Sequence, residues 1–466
     1  MAGTQTRSSG LFSGLVLLSV GTILLLHNYG HLDLSAFFSH WWPLLIIFWG
    51  VVKLYERTLG KRFGGGGGAI TGSELLLVLA MFSLMGMVVM WDVGKEKLPI
   101  SGDSYGFDLD VAPKAIPAKA PVLVHSVRGD ISVRGSDEAQ IRVTARKNVK
   151  TWSEEEAERI ARPIAVEITQ NGDSYEIHPA GFDQSDGRIS VDLEISVPRR
   201  SPLTVRTDKG DVEVSDYGTD VTVANKNGNV DLHGTDGDVS VEMGKGDVKI
   251  NDTKGDVKIS GKGGEIEVNS ADGSLTVDGD FYGPERADRV AKGVRMITAR
   301  TDLTVSALAG HLEISSGNLD LIDAPGNLDL RTRDTAINVE NPGGKVNIQN
   351  RNAQTTVRFM TAPKEDVSIT NSSAGISLSL PGSASFEVQA DCRNCDVESD
   401  FAGLGPVKSP GGDASMAGKF GSGRGVKITL KTSYANIELR RSAIPVPPRP
   451  GTPPKPPTPI PPAVEQ

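Results

Sequence analysis

From Ser201 to Val277 the chain repeats one phrase every nine residues, with starting slots at Ser201, Gly210, Thr219, Gly228, Gly237, Gly246, Gly255, Gly264 and Gly273. Two positions after each slot stand Leu203, Val212, Val221, Val230, Val239, Val248, Val257, Ile266 and Leu275. Four positions after it stand Val205, Val214, Val223, Leu232, Val241, Ile250, Ile259, Val268 and Val277. All are aliphatic, and the residue between each pair is polar, from Thr204 and Glu213 through Lys249 and Lys258 to Thr276. Alternation with period two is the mark of a strand with one buried face. Each repeat therefore predicts one short strand and one tight corner.

Glycine at the slot suits a corner that needs positive φ or close backbone approach, and an Asp or Asn after it can hydrogen-bond its own turn. On this reading the pairs Gly210–Asp211, Gly228–Asn229, Gly237–Asp238, Gly246–Asp247 and Gly255–Asp256, with Gly264 and Gly273, are structural corner residues. The phrase returns at Gly310, Gly317, Gly326, Thr335 and Gly344, and again near the end, where Ile428 and Ile437 lie nine apart. One β-strand-repeat domain is expected over 121–441. Two interruptions, near 151–164 and 284–296, predict helical insertions, the first with Thr151 and Glu154 spaced as a capping box. A parallel β-solenoid with arcs of about nine residues explains why one corner chemistry recurs in one frame. A β-sandwich or meander is the alternative, since hairpins at a spacing of about 8–12 residues give a similar count.

The first hundred residues follow a different pattern. Apolar runs at Leu11–Leu26, Trp41–Val52 and Leu75–Trp91 predict three transmembrane helices, about 11–27, 41–55 and 74–91. The second is the shortest, and a buried or re-entrant helix competes with a crossing there. Lys53, Arg57, Lys61 and Arg62 follow it, whereas the loop 28–40 has no Lys or Arg. The positive-inside rule therefore places a cytoplasmic tail at 1–10 and a Gly-rich cytoplasmic loop at 56–73, and sends everything after Trp91 across the membrane. A cleaved signal peptide fits the first run poorly, because HNYGHLDL lacks a small-x-small cleavage site. A linker is expected over 92–120. The Pro-rich tail 442–466 reads as an extended, disordered spacer or as a ligand for a proline-reading partner.

Composition narrows the chemistry. A net charge of −9, with Lys and Asp alternating through the repeats, argues against nucleic-acid binding. Calcium ladders need more oxygen ligands per turn than one acid beside a frequent Lys provides. The seven histidines are scattered without zincin spacing, no nucleophile motif appears, and no small-molecule substrate is evident. No enzyme activity and no cofactor are expected. Cys392 and Cys395 are a candidate disulfide, with half a metal site as the competing reading.

Two resemblances follow from these residues. GLFSGLVLLSVGTILLLHNYGHLDL followed by WWPLLIIFWGVVKLYER resembles the LiaI/LiaF-like transmembrane region of bacterial envelope proteins. KGDVEV, NGNVDL, DGDVSV, KGDVKI and YANIELRR resemble the bacterial putative-adhesin family of β-strand-repeat proteins across about 320 residues. Together they imply an inner-membrane protein whose β domain faces outward as a non-catalytic surface for adhesion, binding or assembly. The implied partners are other envelope proteins, wall glycan or a second copy. The alternative they imply is an envelope-stress regulator acting through its transmembrane helices.

Overall fold

The computed structural model describes residues 102–299, 301–423 and 425–442. The expected transmembrane helices, Lys53, Arg57, Lys61, Arg62 and the Pro-rich tail lie outside the described residues. Among the described residues no helix is long and apolar enough to cross a membrane.

The aliphatic pairs form strands of two ladders. In sheet I, Val230 pairs with Val212 on one side and Val248 on the other. In sheet II, Val221 lies between Leu203 and Val239. Both ladders are parallel with partners 18 residues apart, so a coil is two nine-residue arcs, one in each sheet. A meander would pair its neighbours antiparallel; the parallel register answers the choice in favour of the solenoid. Val205, Val214, Val223, Leu232, Val241 and Ile259 are fully buried, and Leu203, Val212, Val221, Val230, Val239 and Val257 before them are buried as well, so two aliphatic columns per sheet face the core. Burying one such side chain contributes about 1.5–3 kcal/mol, and the stack is held by many repetitions of that small term.

Sheet I has 16 strands. Sheet II runs from Ala165–Asn171 and Ser174–Ala180 through Val122–Ser126 and Leu203–Thr207 to Val407–Lys408 at its far end. No described pairing joins those two ends, so sheet II is an open ladder. Three departures from simple stacking matter. The coil containing Val122 and Ile131 lies out of sequence order, between Leu203 and Val212 on one side and the later strands Ser174–Ala180 and Ile189–Pro198 on the other. The last strands in the sequence, Val426–Ser433 and Ile437–Ser442, slot between Val367–Asn371 and Phe386–Arg393 in sheet II and between Ile376–Pro381 and Val397–Ser399 in sheet I. One coil also runs backwards: Thr301–Val305 is antiparallel to Val294–Ile297 and Leu328–Thr332, and Leu308–Ile314 is antiparallel to Glu285–Val290 and Asn318–Ile322.

Two expectations need correction. The segment 284–296 is not helical: it forms Glu285–Val290 and Val294–Ile297, because Ala287, Val290, Val294 and Met296 continue the inward alternation in a stretch otherwise rich in charge. Nor is 92–120 a linker throughout, since Asp103–Ala115 is a 13-residue strand on the edge of sheet I. Its alternation of Tyr105, Phe107, Leu109 and Val111 with polar or small residues carries the strand signal.

The described residues divide into two compact units. One contains Asn148–Arg162 and Phe182–Ile189, including the helix Glu154–Ala161. Ser153 is its N-cap and accepts from the Glu156 amide, two residues later than the capping box read from Thr151. Thr151 instead donates its hydroxyl to Glu156 Oε2 at 2.5 Å. The other unit contains Gly106–Lys147, Pro163–Gly181 and the repeats from Ser190 onward.

Candidate functional site

The corners determine which polar groups remain for function. Gly210, Gly228 and Gly246 have φ of +135°, +146° and +131°. A Cβ on Gly228 would lie 2.0 Å from the Gly210 carbonyl oxygen one coil below, so this corner requires glycine for both conformation and space. Gly237, Gly255 and Gly273 line the opposite corner, where the close approach to the preceding coil is the constraint. Gly264 stands against Asp247 Oδ1.

The acids after the glycines do not bond within their own turns. Asp211 Oδ1 accepts from the Asn229 amide at 2.7 Å, Asn229 Oδ1 from Asp247 at 3.0 Å, and Asp247 Oδ1 from Glu265 at 2.7 Å. At the other corner Asp220, Asp238 and Asp256 accept from the amides of Asp238, Asp256 and Ser274. Each acceptor thus ties one coil to the next, which a reading of isolated turns did not foresee. The backbone amide of Ser274 is the main cause holding the Asp256 carboxyl below its ordinary value.

Cys392 and Cys395 have Cα atoms 5.6 Å apart, within the range a disulfide spans. Nearby, Phe386, Phe401 and Phe420 form an edge-packed cluster with ring centroids 4.8–5.6 Å apart.

An open depression of about 750 Å³ lies on the outward face of sheet I. The strands from Asp103–Ala115 and Gln140–Thr151 across to Val230–Thr235 build it. Its lining includes the carboxylates of Asp108, Asp130, Asp192, Glu194, Asp211, Glu213 and Asp231, with Arg146 as the guanidinium. Such a surface favours cationic groups on a partner over phosphate or sulfate. Asp211, Glu213 and Asp231 belong to the nine-residue frame, Asp130 follows Gly129 as a corner acid of the same kind, and Asp108, Asp192 and Glu194 stand on strands outside the repeat. Alternation in SYGFDLDV and SVDLEISV was the available signal. Among the described residues no group of His, Cys, Asp and Glu has the arrangement to hold a metal ion.

Two parallel ladders closed by glycine corners and Asx rungs define a β-solenoid scaffold. The chain belongs to the Toastrack DUF4097 family, whose model matches residues 123–440. Residues 11–54 match the LiaI-LiaF-like transmembrane region, which anchors the protein in a membrane. Among solved structures, a putative adhesin from Bacteroides fragilis is 12% identical, with 73% of this chain and 98% of that chain covered and a TM-score of 0.21. A putative adhesin from Parabacteroides distasonis is 10% identical at the same coverages, with a TM-score of 0.20. A putative lipid binding protein from Parabacteroides distasonis is 13% identical, again at 73% and 98% coverage, with a TM-score of 0.22. No curated protein matches the sequence.

Proposed function

We propose that this protein is a multi-pass bacterial inner-membrane protein that presents its solenoid outside the cytoplasm as a non-catalytic binding or assembly surface. The observation that carries the reading is the 18-residue parallel register, which lines up outward residues of successive coils into continuous polar rows. Glu213, Asp231, Lys249 and Glu267 form one such row. The corner carboxylates are committed to binding the next coil, so outward contacts fall to the strand faces and to the acidic depression. Many weak, repeated contacts suit an extended ligand such as wall glycan, another envelope protein or a second copy. The three crossings, the cytoplasmic loop 56–73 and the outward β domain belong to this proposal.

The match at 11–54 favours a second reading, in which the transmembrane helices regulate a membrane partner. Photocrosslinkers placed singly at Glu213, Lys249 and Asn338 and at positions within 11–54 of the full-length protein in intact cells separate the two. The display reading expects the same partner to be captured from several coils. Capture confined to 11–54, with none from the solenoid, would refute it in favour of regulation.

A further inference from the structure

The reversed coil meets the parallel stack at an unusual core position. Glu285 stands where the coil beneath has Ile266, and it pairs in antiparallel register with Ile314. It is 4% exposed, and its Oε2 has no hydrogen-bond partner. The inward residues beside it are Ala287 on its own strand, Ile266 and Val268 on one neighbour, and Leu312 and Ile314 on the other, all uncharged. The charged groups of these strands, Glu267, Arg286, Asp288, His311 and Glu313, alternate to the outward side. In sheet II the same coils carry Leu275, Val277, Val294 and Met296 inward and Asp278 and Arg295 outward.

The outward side of the same strand pair is tied by ions. Arg286 bridges Glu265 and Glu313, while His311 places Nδ1 2.7 Å from Asp288 and Nε2 3.6 Å from Glu313. A buried carboxyl whose Oε2 has no partner therefore sits directly behind a paired outer network, at the seam where the parallel stack meets the reversed coil.

We propose that this seam is a proton-controlled joint: with Glu285 neutral the reversed coil stays docked on Glu285–Val290, and ionisation of Glu285 loosens that pair while the parallel ladders stay closed. Burial pushes the Glu285 carboxyl up to about 7 from an ordinary value of 4.5. Opening the seam to water returns it to the ordinary value. Its contribution is then fully present below pH 4.5, declines as pH rises, and is gone above about 7. Between pH 6 and pH 8.5 this linkage increases the open fraction of the seam about tenfold.

The test is hydrogen–deuterium exchange on the full-length protein in detergent micelles at pH 6 and pH 8.5, corrected for the intrinsic rate at each pH. Peptides over Glu285–Val290 and Leu308–Ile314 are expected to lose about tenfold in protection at the higher pH, while Val230–Met243 is unchanged. Glu285→Gln, or Glu285→Leu should the amide variant not fold, abolishes the difference; His311→Gln keeps it. Equal protection of the wild type at both pH values overturns the proposal. So does a difference that survives either Glu285 substitution, or one that disappears with His311→Gln and so belongs to the outer network.

Discussion

Replacing Gly228 with alanine tests the stacking geometry at its tightest point. The added Cβ would lie 2.0 Å from the Gly210 carbonyl oxygen and 2.5 Å from its carbon, both backbone atoms that no rotamer change can move. The φ of +146° adds strain of about 1–3 kcal/mol for a residue with a Cβ. Pushing the coils apart adds an overpacking cost of about 1–3 kcal/mol. It also stretches the bond from the Gly210 amide to the Asn227 carbonyl and the bond from the Asn229 amide to Asp211, at 3.0 and 2.7 Å. The two terms sum to a loss of about 2–6 kcal/mol, a large part of the stability of a typical domain. Gly317→Ala is the control, because its Cβ would meet nothing within 4 Å. Urea unfolding of the full-length protein in micelles, followed by circular dichroism in the β region, reads the difference as a lower midpoint for Gly228→Ala alone. Equal midpoints for the two variants would show that the coils are not stacked this closely and would remove the basis of the corner argument.

Other outcomes follow from the same contacts. Asp247→Ala, which removes the acceptor for the Glu265 amide, should cost about 1–3 kcal/mol in urea unfolding, whereas Asp247→Asn should cost little, since Asn229 already fills the equivalent rung. Phe401→Ala should cost about 3–5 kcal/mol, with exchange protection lost around 386–420 and retained at Val230–Met243. The Asp256 rung should respond to acid in the opposite sense to Glu285: its carboxyl is held low, so its contribution is present above the ordinary 3.8 and lost as pH falls through the lower folded value. Faster exchange of the Ser274 amide in that acid range, abolished by Asp256→Asn, is the measurement.

The strand pattern was legible because the core tolerates only aliphatic residues on a strict alternation, and the corners impose glycine at a fixed interval. The coil length was less so: nine-residue arcs are visible in the sequence, but that two of them close a turn appears only in the Val221–Val239 and Val230–Val248 pairings. At 284–296 the pattern failed locally, because Glu285 and Ala287 occupy positions that Val or Ile holds elsewhere, and a stretch rich in charge resembled a helix. The acidic depression was missed for a different reason. It is assembled across strands that are distant in sequence, with Asp192 and Asp211 brought to the two sides of Asp130 by the out-of-order stacking of Ile131–Ser136 between Ile189–Pro198 and Val212–Tyr217.

The threading of the strands Val426–Ser433 and Ile437–Ser442 fixes an order of events during synthesis. Phe386–Arg393 has its parallel partner in Val426–Ser433, which emerges later and must enter from the side between strands already made. Until then the ladder ends at Val367–Asn371 with a bare hydrogen-bonding edge, the state in which β proteins recruit unwanted neighbours. A chain stalled or clipped before residue 426 therefore carries an unfinished edge.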